Sequence, residues 1–557
     1  MVMVYSSVEE MNSLLGKALK RKDYEDMSFL YGMDISGSGD VLEFEVTSDR
    51  PEMVSKYSIA FTFSRILGSS IRRYEKIIYK SAPITIGKTS RPFVNLLLLN
   101  LPMPVGKEAK NLIDMQSKLD ATIGRNRKSA AIGLFDMDKI SFPLKYSESS
   151  AEKISFVPLG YSNEKSYAEI LEELDCGKEY GHINDGKPIV WTDGNRRIFA
   201  LPPVINADFA SISEKTRSIF IDITGLDRNI VNSITKAFIF NAQFLGNVTV
   251  LKPKYESKDL NTSFSLGETS LDLSRSYVNS LIGQDIRDTE IKSALKKAGY
   301  TFKETAKGFV VRSPFYRQDI KHQADIVDDI LRFYGVSNIK PATINLRKIG
   351  EALSGSDIIE DIRDVLVGFG YQETDLNVLS KENIQFRIVG LRPEDYAAFS
   401  GFKSGETTMA RKYLFPEELR FISNNSHKKF PQNLFDIGFS VELSGSDVRF
   451  SNRLKLCVVA CGQGKNISDV RVALDRVLID AFGLDRAEIK QGEDSKVFDG
   501  TFIKGRFGSV VSQGKSIGII GEVHPKVLNE FNIDLPVALA EIYLDKLLAY
   551  RDKPKSE

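Results

Sequence analysis

No chain of 557 residues closes around one core. An apolar interior stops growing beyond roughly 250–300 residues, so a chain of this length divides into about three to four domains. The divisions are marked by changes of periodicity and by glycine and proline stops. They read as an α+β multidomain protein in segments 1–90, 91–266, 267–345 and 346–557.

Residues 1–90 are predicted to hold a helix over Val8–Lys22, a half-buried strand over Val41–Thr47 and a helix from Pro51 to Leu67, stopped at Gly68. Residues 91–266 form a mixed α+β stretch, with a basic run at Gly124–Ala130, strands at Ala131–Phe135 and Ser218–Thr224, and a helix over Ile230–Phe244. Residues 267–345 carry two short helices stopped by Gly283 and Gly299, then two short strands. That pattern resembles a winged-helix or helix-turn-helix module with a two-stranded wing. Residues 346–557 alternate strands and helices, with a hairpin turning at Gln513–Gly514.

Charge bears on the choice of partner. Lys and Arg number 75 against 74 Asp and Glu, for a net charge of +1. Phosphate neutralisation makes dedicated nucleic-acid binders visibly basic, so any RNA contact here runs through local patches. Two runs qualify, Lys17–Lys22 and the loop carrying Arg125, Arg127 and Lys128; the alternative for each is a solvated face. The sparse, odd set Cys176, Cys457 and Cys461 argues against a disulfide framework and fits a reducing compartment. Cys457 and Cys461 sit in an apolar run and read as core. No stretch of 18 apolar residues and no signal-peptide pattern occur, so a cytoplasmic location without a membrane span is expected.

The richest string is SPFYRQDIKHQADIVDDILRFYG, Ser313–Gly335. Ile326, Val327, Ile330, Leu331 and Tyr334 share one helical face, while Asp325, Asp328 and Asp329 share the other and Asp319 lies in the loop before it. Spacing alone leaves two readings open. Acidic residues near a helix N-terminus complement its dipole in solvent, and convergent carboxylates suit a hard cation such as magnesium.

This string resembles the phenylalanine–tRNA ligase β-subunit family, of the archaeal and eukaryotic cytosolic type. So do VLEFEVTSDRPEMVSKYSIAFTFSRILG (Val41–Gly68), IDMQSKLDATIGRNRKSAAIGLFDMDKI (Ile113–Ile140), LPPVIN, IFIDITGLD, SNNSHKKFPQNLFDIG (Ser423–Gly438) and IGIIGEVHPKVLNEFNIDLPVALAEIYLD (Ile517–Asp545). The resemblance implies magnesium held by Asp319, Asp325, Asp328 and Asp329 near a contact with an α subunit. It also implies two α and two β chains acting on tRNA(Phe), with ATP as a substrate of the complex. For residues 346–557 it implies a class II synthetase-like antiparallel sheet without catalytic motifs: no arginine precedes LFDIG at the needed spacing, and no glycine-rich element ending in arginine follows. For residues 91–266 it implies a proofreading module that hydrolyses tyrosyl-tRNA, with Asn206 and Asp222 as candidates to read the tyrosine hydroxyl. Local turn capping and strand-end hydrogen bonding is the alternative role for both. The competing function is a non-catalytic nucleic-acid-binding scaffold built on the winged-helix-like segment.

Overall fold

Glycine ends the helices where the sequence puts the stops. In the computed structural model Gly68, Gly283 and Gly299 take φ of 62°, 79° and 92° behind the helices Lys56–Leu67, Arg275–Ile282 and Asp288–Ala298. Any residue with a Cβ would cost about 1–2 kcal/mol in that conformation. The structure describes residues 2–184, 187–256, 264–341, 350–351, 355–400, 407–444, 449–491 and 497–551. These form two units, Met1–Thr343 and Ile344–Glu557; residues 342–349, around the junction expected near 345, lie outside the described residues.

Two helix expectations change. The helix predicted over Val8–Lys22 stops at Leu15, because Gly16 turns left-handed (φ 62°), and a second helix runs over Arg21–Leu30. Leu19 keeps the apolar period going only because Asn12 Oδ1 accepts its amide at 2.9 Å and folds the link back. The helix expected from Pro51 begins at Lys56, where Ser55 caps it by accepting from the Ser58 amide.

The first unit is built on a nine-stranded sheet. Its order is Ile205–Asn206, Ile198–Leu201, Ile189–Thr192, Leu144–Glu148, Ile78–Ile86, Asn247–Tyr255, Phe93–Asn100, Ser218–Gly225 and Ala130–Asp136. Ile78–Ile86 belongs by sequence to the first segment, yet it pairs in parallel with both its neighbours in the middle of this sheet. Strand alternation sorts the two faces. Ile219, Ile221 and Ile223 pack with Ile234 and Phe238 of the Arg228–Ala242 helix, in a core that also takes in Ile59 and Phe63. Phe220 points the other way, into a cluster with Trp191, Phe199 and Tyr146. Asp222 and Thr224 follow Phe220 at period two.

Residues 269–313 add a three-stranded sheet, ordered Thr269–Ser274, Gly308–Ser313 and Thr301–Thr305. The first of these was not expected: the two-stranded wing gains a third strand because Thr269–Ser274 pairs along all of Gly308–Ser313. The helix Gln323–Tyr334 follows, burying Ile326, Val327 and Ile330.

The second unit has a seven-stranded sheet, ordered Gln372–Glu373, Gln432–Leu443, Phe450–Cys461, Val537–Tyr543, Lys515–Val523, Phe502–Ser512 and Glu488–Lys490. It is antiparallel except for the first pair. Gln513 (φ 51°) and Gly514 (φ 74°) make the expected tight turn. The helices Ser356–Gly368 and Ile467–Arg476 cover one face, and Phe415–Asn424 packs on the other, where Cys457 and Cys461 are fully buried.

Candidate functional site

Asp222 stands in the middle of the Ser218–Gly225 strand with its side chain on the aromatic face. It is 2% exposed, and its Oδ2 accepts the Trp191 Nε1–H at 2.6 Å. Its cross-strand partner is Gly133. A Cβ there would stand 2.1 Å from Asp222 Oδ1, so only glycine leaves the carboxylate its place. Oδ1 itself is buried without a hydrogen bond of good geometry, as is Thr224 Oγ1 two residues on. Burial lifts the Asp222 pKa to about 6, against the opposing pull of the Trp191 hydrogen bond. Gly133→Ala is expected to cost about 1–3 kcal/mol, the range for overpacking a filled site, read as a lower denaturant midpoint.

Asp222 and Thr224 line a cavity of about 300 Å³, at the small end of ligand sites. Ile113, Ile132, Leu134 and Val204 give it apolar walls, and Asn206, at the end of the Ile205–Asn206 strand, lines it too. The structure thus brings both proofreading candidates to one cavity. For Asp222 it replaces strand-end bonding with a mid-strand site bonded to an indole. No histidine lines the cavity. Cys176 does, but burial raises its thiol pKa, so it is no thiolate.

One wall is the loop over residues 124–129. Arg125, Asn126 and Arg127 take φ of 52°, 51° and 63°, three left-handed residues in a row without glycine. Arg127 turns inward: Nη1 donates to the carbonyls of Pro203 (3.1 Å) and Val204 (3.2 Å), Nε pairs with Asp120 at 3.3 Å, and the guanidinium lies 4.5 Å from the Tyr180 ring centroid. Asp120 is buried, which lifts its pKa to about 7 despite Arg127. Arg125 and Lys128 are exposed. The other basic run is partly spent on local structure: Lys17 bonds the Leu67 carbonyl, and Arg21 binds Glu25, Val41 O and Ser36 O. Sequence reasoning missed Trp191 and Thr224. The one signal for Thr224 was its period-two spacing from Asp222; for Trp191, it was being the sole tryptophan.

The four aspartates expected to hold magnesium are each engaged otherwise. Arg317, 3% exposed at its side chain, binds Asp319 through Nε (2.9 Å) and Nη2 (2.6 Å), and Nη2 also reaches Asp329 at 2.8 Å. Asp329 accepts from the Tyr300 hydroxyl at 2.5 Å. Asp325 folds back on the amides of Lys321 and His322, both at 2.7 Å, and exposed Asp328 pairs with Arg332. A guanidinium thus stands between the two carboxylates that a cation would bridge. Among the described residues no group of three or more His, Cys, Asp or Glu side chains could hold a metal ion. Each of the four carboxylates is thus already matched by a protein donor.

Ion pairs also run through the interior of the second unit. Arg411 Nη1 binds Asp436 at 2.7 Å, both side chains being 2% exposed, and its Nε donates to the Phe439 carbonyl at 2.8 Å. Lys455 pairs with Glu442 (2.7 Å) and Glu541 (3.1 Å), while Glu541 accepts the amides of Leu414 and Phe415. Glu418 accepts from the Thr374 hydroxyl, and burial lifts its pKa to about 8.

Residues 103–243 match the B3/4 domain model, 271–336 the tRNA synthetase B5 domain, and 346–544 the phenylalanyl tRNA synthetase beta chain CLM domain. The phenylalanine–tRNA ligase beta subunit of Thermococcus sibiricus is 31% identical over 557 residues, covering 96% of this chain and 97% of that one. The chain belongs to the phenylalanine–tRNA ligase β-subunit family. The Pyrococcus furiosus beta subunit is likewise 31% identical, over 97% of this chain and 98% of its own. The crystal structure of an N-terminal fragment of the phenylalanyl-tRNA synthetase beta subunit from Pyrococcus horikoshii superposes with a TM-score of 0.54 at 25% identity, over 60% of this chain and 99% of the fragment. A β subunit of this ligase implies an α-subunit partner. Its cavity lies inside the B3/4 match, its aspartates inside the B5 match, and the buried ion pairs of its second unit inside the CLM match. No helix among the described residues is long and apolar enough to cross a membrane.

Proposed function

We propose that this β subunit works in the cytoplasm in an assembly of two α and two β chains that joins phenylalanine to tRNA(Phe) with ATP and magnesium, and that its own chemistry is hydrolytic proofreading. The CLM-matching unit is read as a class II-like sheet that has lost its reaction. Class II chemistry needs arginine forks free to grip phosphates, whereas Arg411 is committed to Asp436 and Phe439 O. The B5-matching residues are read as a helix-turn-helix-like module, and the nucleic-acid scaffold loses ground there. Arg275 is held by Asp288 and Glu304, and Lys292 by Glu304, so the cations of a reading helix are partly neutralised.

The observation that carries the proofreading reading is the buried Asp222 carboxylate, its Oδ1 without a hydrogen bond of good geometry, on the wall of an aromatic-sized cavity. A pocket chosen for phenylalanine rejects an added hydroxyl poorly, so tyrosine escapes at the charging step. In the β-subunit cavity the order inverts. A tyrosine hydroxyl donates to Asp222 Oδ1, while phenylalanine leaves that oxygen without the donor, a cost of roughly 1–3 kcal/mol. Without a histidine or thiolate, hydrolysis falls to water, with the RNA's own hydroxyls assisting. Water adds to the ester carbonyl, the bond to the ribose oxygen breaks, and tyrosine and a ribose hydroxyl depart. Arg125 and Lys128 are the cations offered to the RNA backbone.

Charging and deacylation assays separate the parts. This chain alone is expected to charge no tRNA with phenylalanine, and the α–β mixture to charge it and to hydrolyse tyrosyl-tRNA(Phe). Charging by the lone chain would sink the division of labour, and intact tyrosyl-tRNA in the mixture would sink the proofreading.

A further inference from the structure

We infer that Arg91 is a positioning residue for this cavity: its buried guanidinium pins the left-handed loop over residues 124–129 to the strand carrying Asp222, and so sets where Arg127 closes the wall and where Arg125 and Lys128 meet RNA phosphates. The inference rests on the proofreading reading. Arg91 precedes the Phe93–Asn100 strand and lies outside the stretches that match family models.

Arg91 is 0% exposed, and among the described residues it makes no ion pair at hydrogen-bonding distance. Its Nη donors go instead to main-chain oxygens, Nη1 to Lys128 O at 3.2 Å, Nη2 to Arg127 O at 3.1 Å and Nη2 to Thr224 O at 3.2 Å, while Nε is buried without a bond of good geometry. A buried cation without a bonded anion is costly and needs a reason to persist. That reason is the loop. Three consecutive left-handed residues with side chains persist only where the surroundings over-determine them. One planar fork holds the carbonyl of the last of them, that of its successor, and that of Thr224 on the cavity strand. The Arg91 main chain is fixed in turn, since the Tyr146 hydroxyl (3.2 Å) and Thr89 Oγ1 (3.0 Å) both donate to its carbonyl. Lysine, a point charge on a flexible stem, cannot span three carbonyls in this geometry. Arg91 is also a cation acting on Asp222, whose surroundings further include the Trp191 indole, and with which Asp120 and Tyr146 interact electrostatically.

The test uses the full α–β complex with wild-type chain, Arg91→Lys and Arg91→Met. KM and kcat for tyrosyl-tRNA(Phe) hydrolysis are measured separately across pH and salt, with phenylalanine charging as the check on assembly. Both variants are expected to raise KM about tenfold and to flatten its salt dependence, because the loop cations lose their register on the phosphates. Only Arg91→Met is expected to move the acid limb of the profile to higher pH, since lysine keeps a cation near Asp222. Variants equal to wild type would overturn the inference alone. So would a fall in kcat with unchanged KM and a lower melting midpoint in both, which is plain loss of structure. A wild-type complex that hydrolyses nothing would remove the proofreading reading and the inference with it.

Discussion

Replacing Asp222 by asparagine in the assembled complex is expected to slow tyrosyl-tRNA(Phe) hydrolysis about 30-fold, leave phenylalanine charging unchanged, and make the first unit more stable at neutral pH. The rate follows from losing a buried hydrogen bond to a charged acceptor, worth roughly 1.5–3 kcal/mol. The stability follows from linkage. Burial lifts the pKa from an ordinary 3.8 to about 6, so between those values the folded state holds more protons than the unfolded one. Stability contributed by this group therefore falls as pH rises through that window. Above about pH 6 the ionised form costs on the order of 3 kcal/mol, a penalty asparagine does not carry, while its amide oxygen can still accept from Trp191. Melting midpoints of the two proteins should thus converge towards pH 4 and separate towards pH 8. Wild-type hydrolysis should decline as pH drops through about 6. An asparagine variant that hydrolyses at the wild-type rate would show that Asp222 reads nothing.

Arg411→Met is expected to destabilise the second unit by about 3–5 kcal/mol, because it strands the Asp436 carboxylate, 2% exposed, without its cation. Burial already raises the Asp436 pKa to about 6 against the pull of Arg411, and removing the guanidinium raises it further. The double change Arg411→Met with Asp436→Leu should recover most of the loss, since it removes both charges together. Urea unfolding followed by amide exchange in residues 432–461 measures both. If the double variant is as unstable as the single, then the packing of Arg411 over Gly438, where a Cβ would stand 2.0 Å from Nη2, matters more than its charge.

What could be read from the sequence was what repeats locally. The stops at Gly68, Gly283 and Gly299, the Gln513–Gly514 turn and the apolar face of Gln323–Tyr334 are set by neighbours a few residues apart. Asp222 and Asn206 were legible as polar residues beside apolar strands, but their meeting at one cavity was not, because strand order decides it. The same holds for the partners of buried charge. Asp436 lacks an arginine at the spacing sought before LFDIG, and Arg411 reaches it from outside the strand. Arg317 sits two residues from Asp319, yet only the folded helix brings Asp329 to the same guanidinium. The false continuity of Val8–Lys22 had a different origin: an apolar period does not register a single left-handed glycine.

The placement of Ile78–Ile86 bears on how this protein is made. Its parallel partner Asn247–Tyr255 is synthesised long after it, with Ile78 facing Thr249 across the pairing. During translation the early strand must wait, unpaired on that side, until nearly all of the nine-stranded sheet has left the ribosome. Long-range parallel pairing of this kind closes slowly, and its open edge invites wrong partners meanwhile. A gene fragment beginning at residue 91 would omit a central strand of its own sheet. The smallest inheritable piece that carries the Asp222 cavity therefore reaches back past residue 91, into the segment before it.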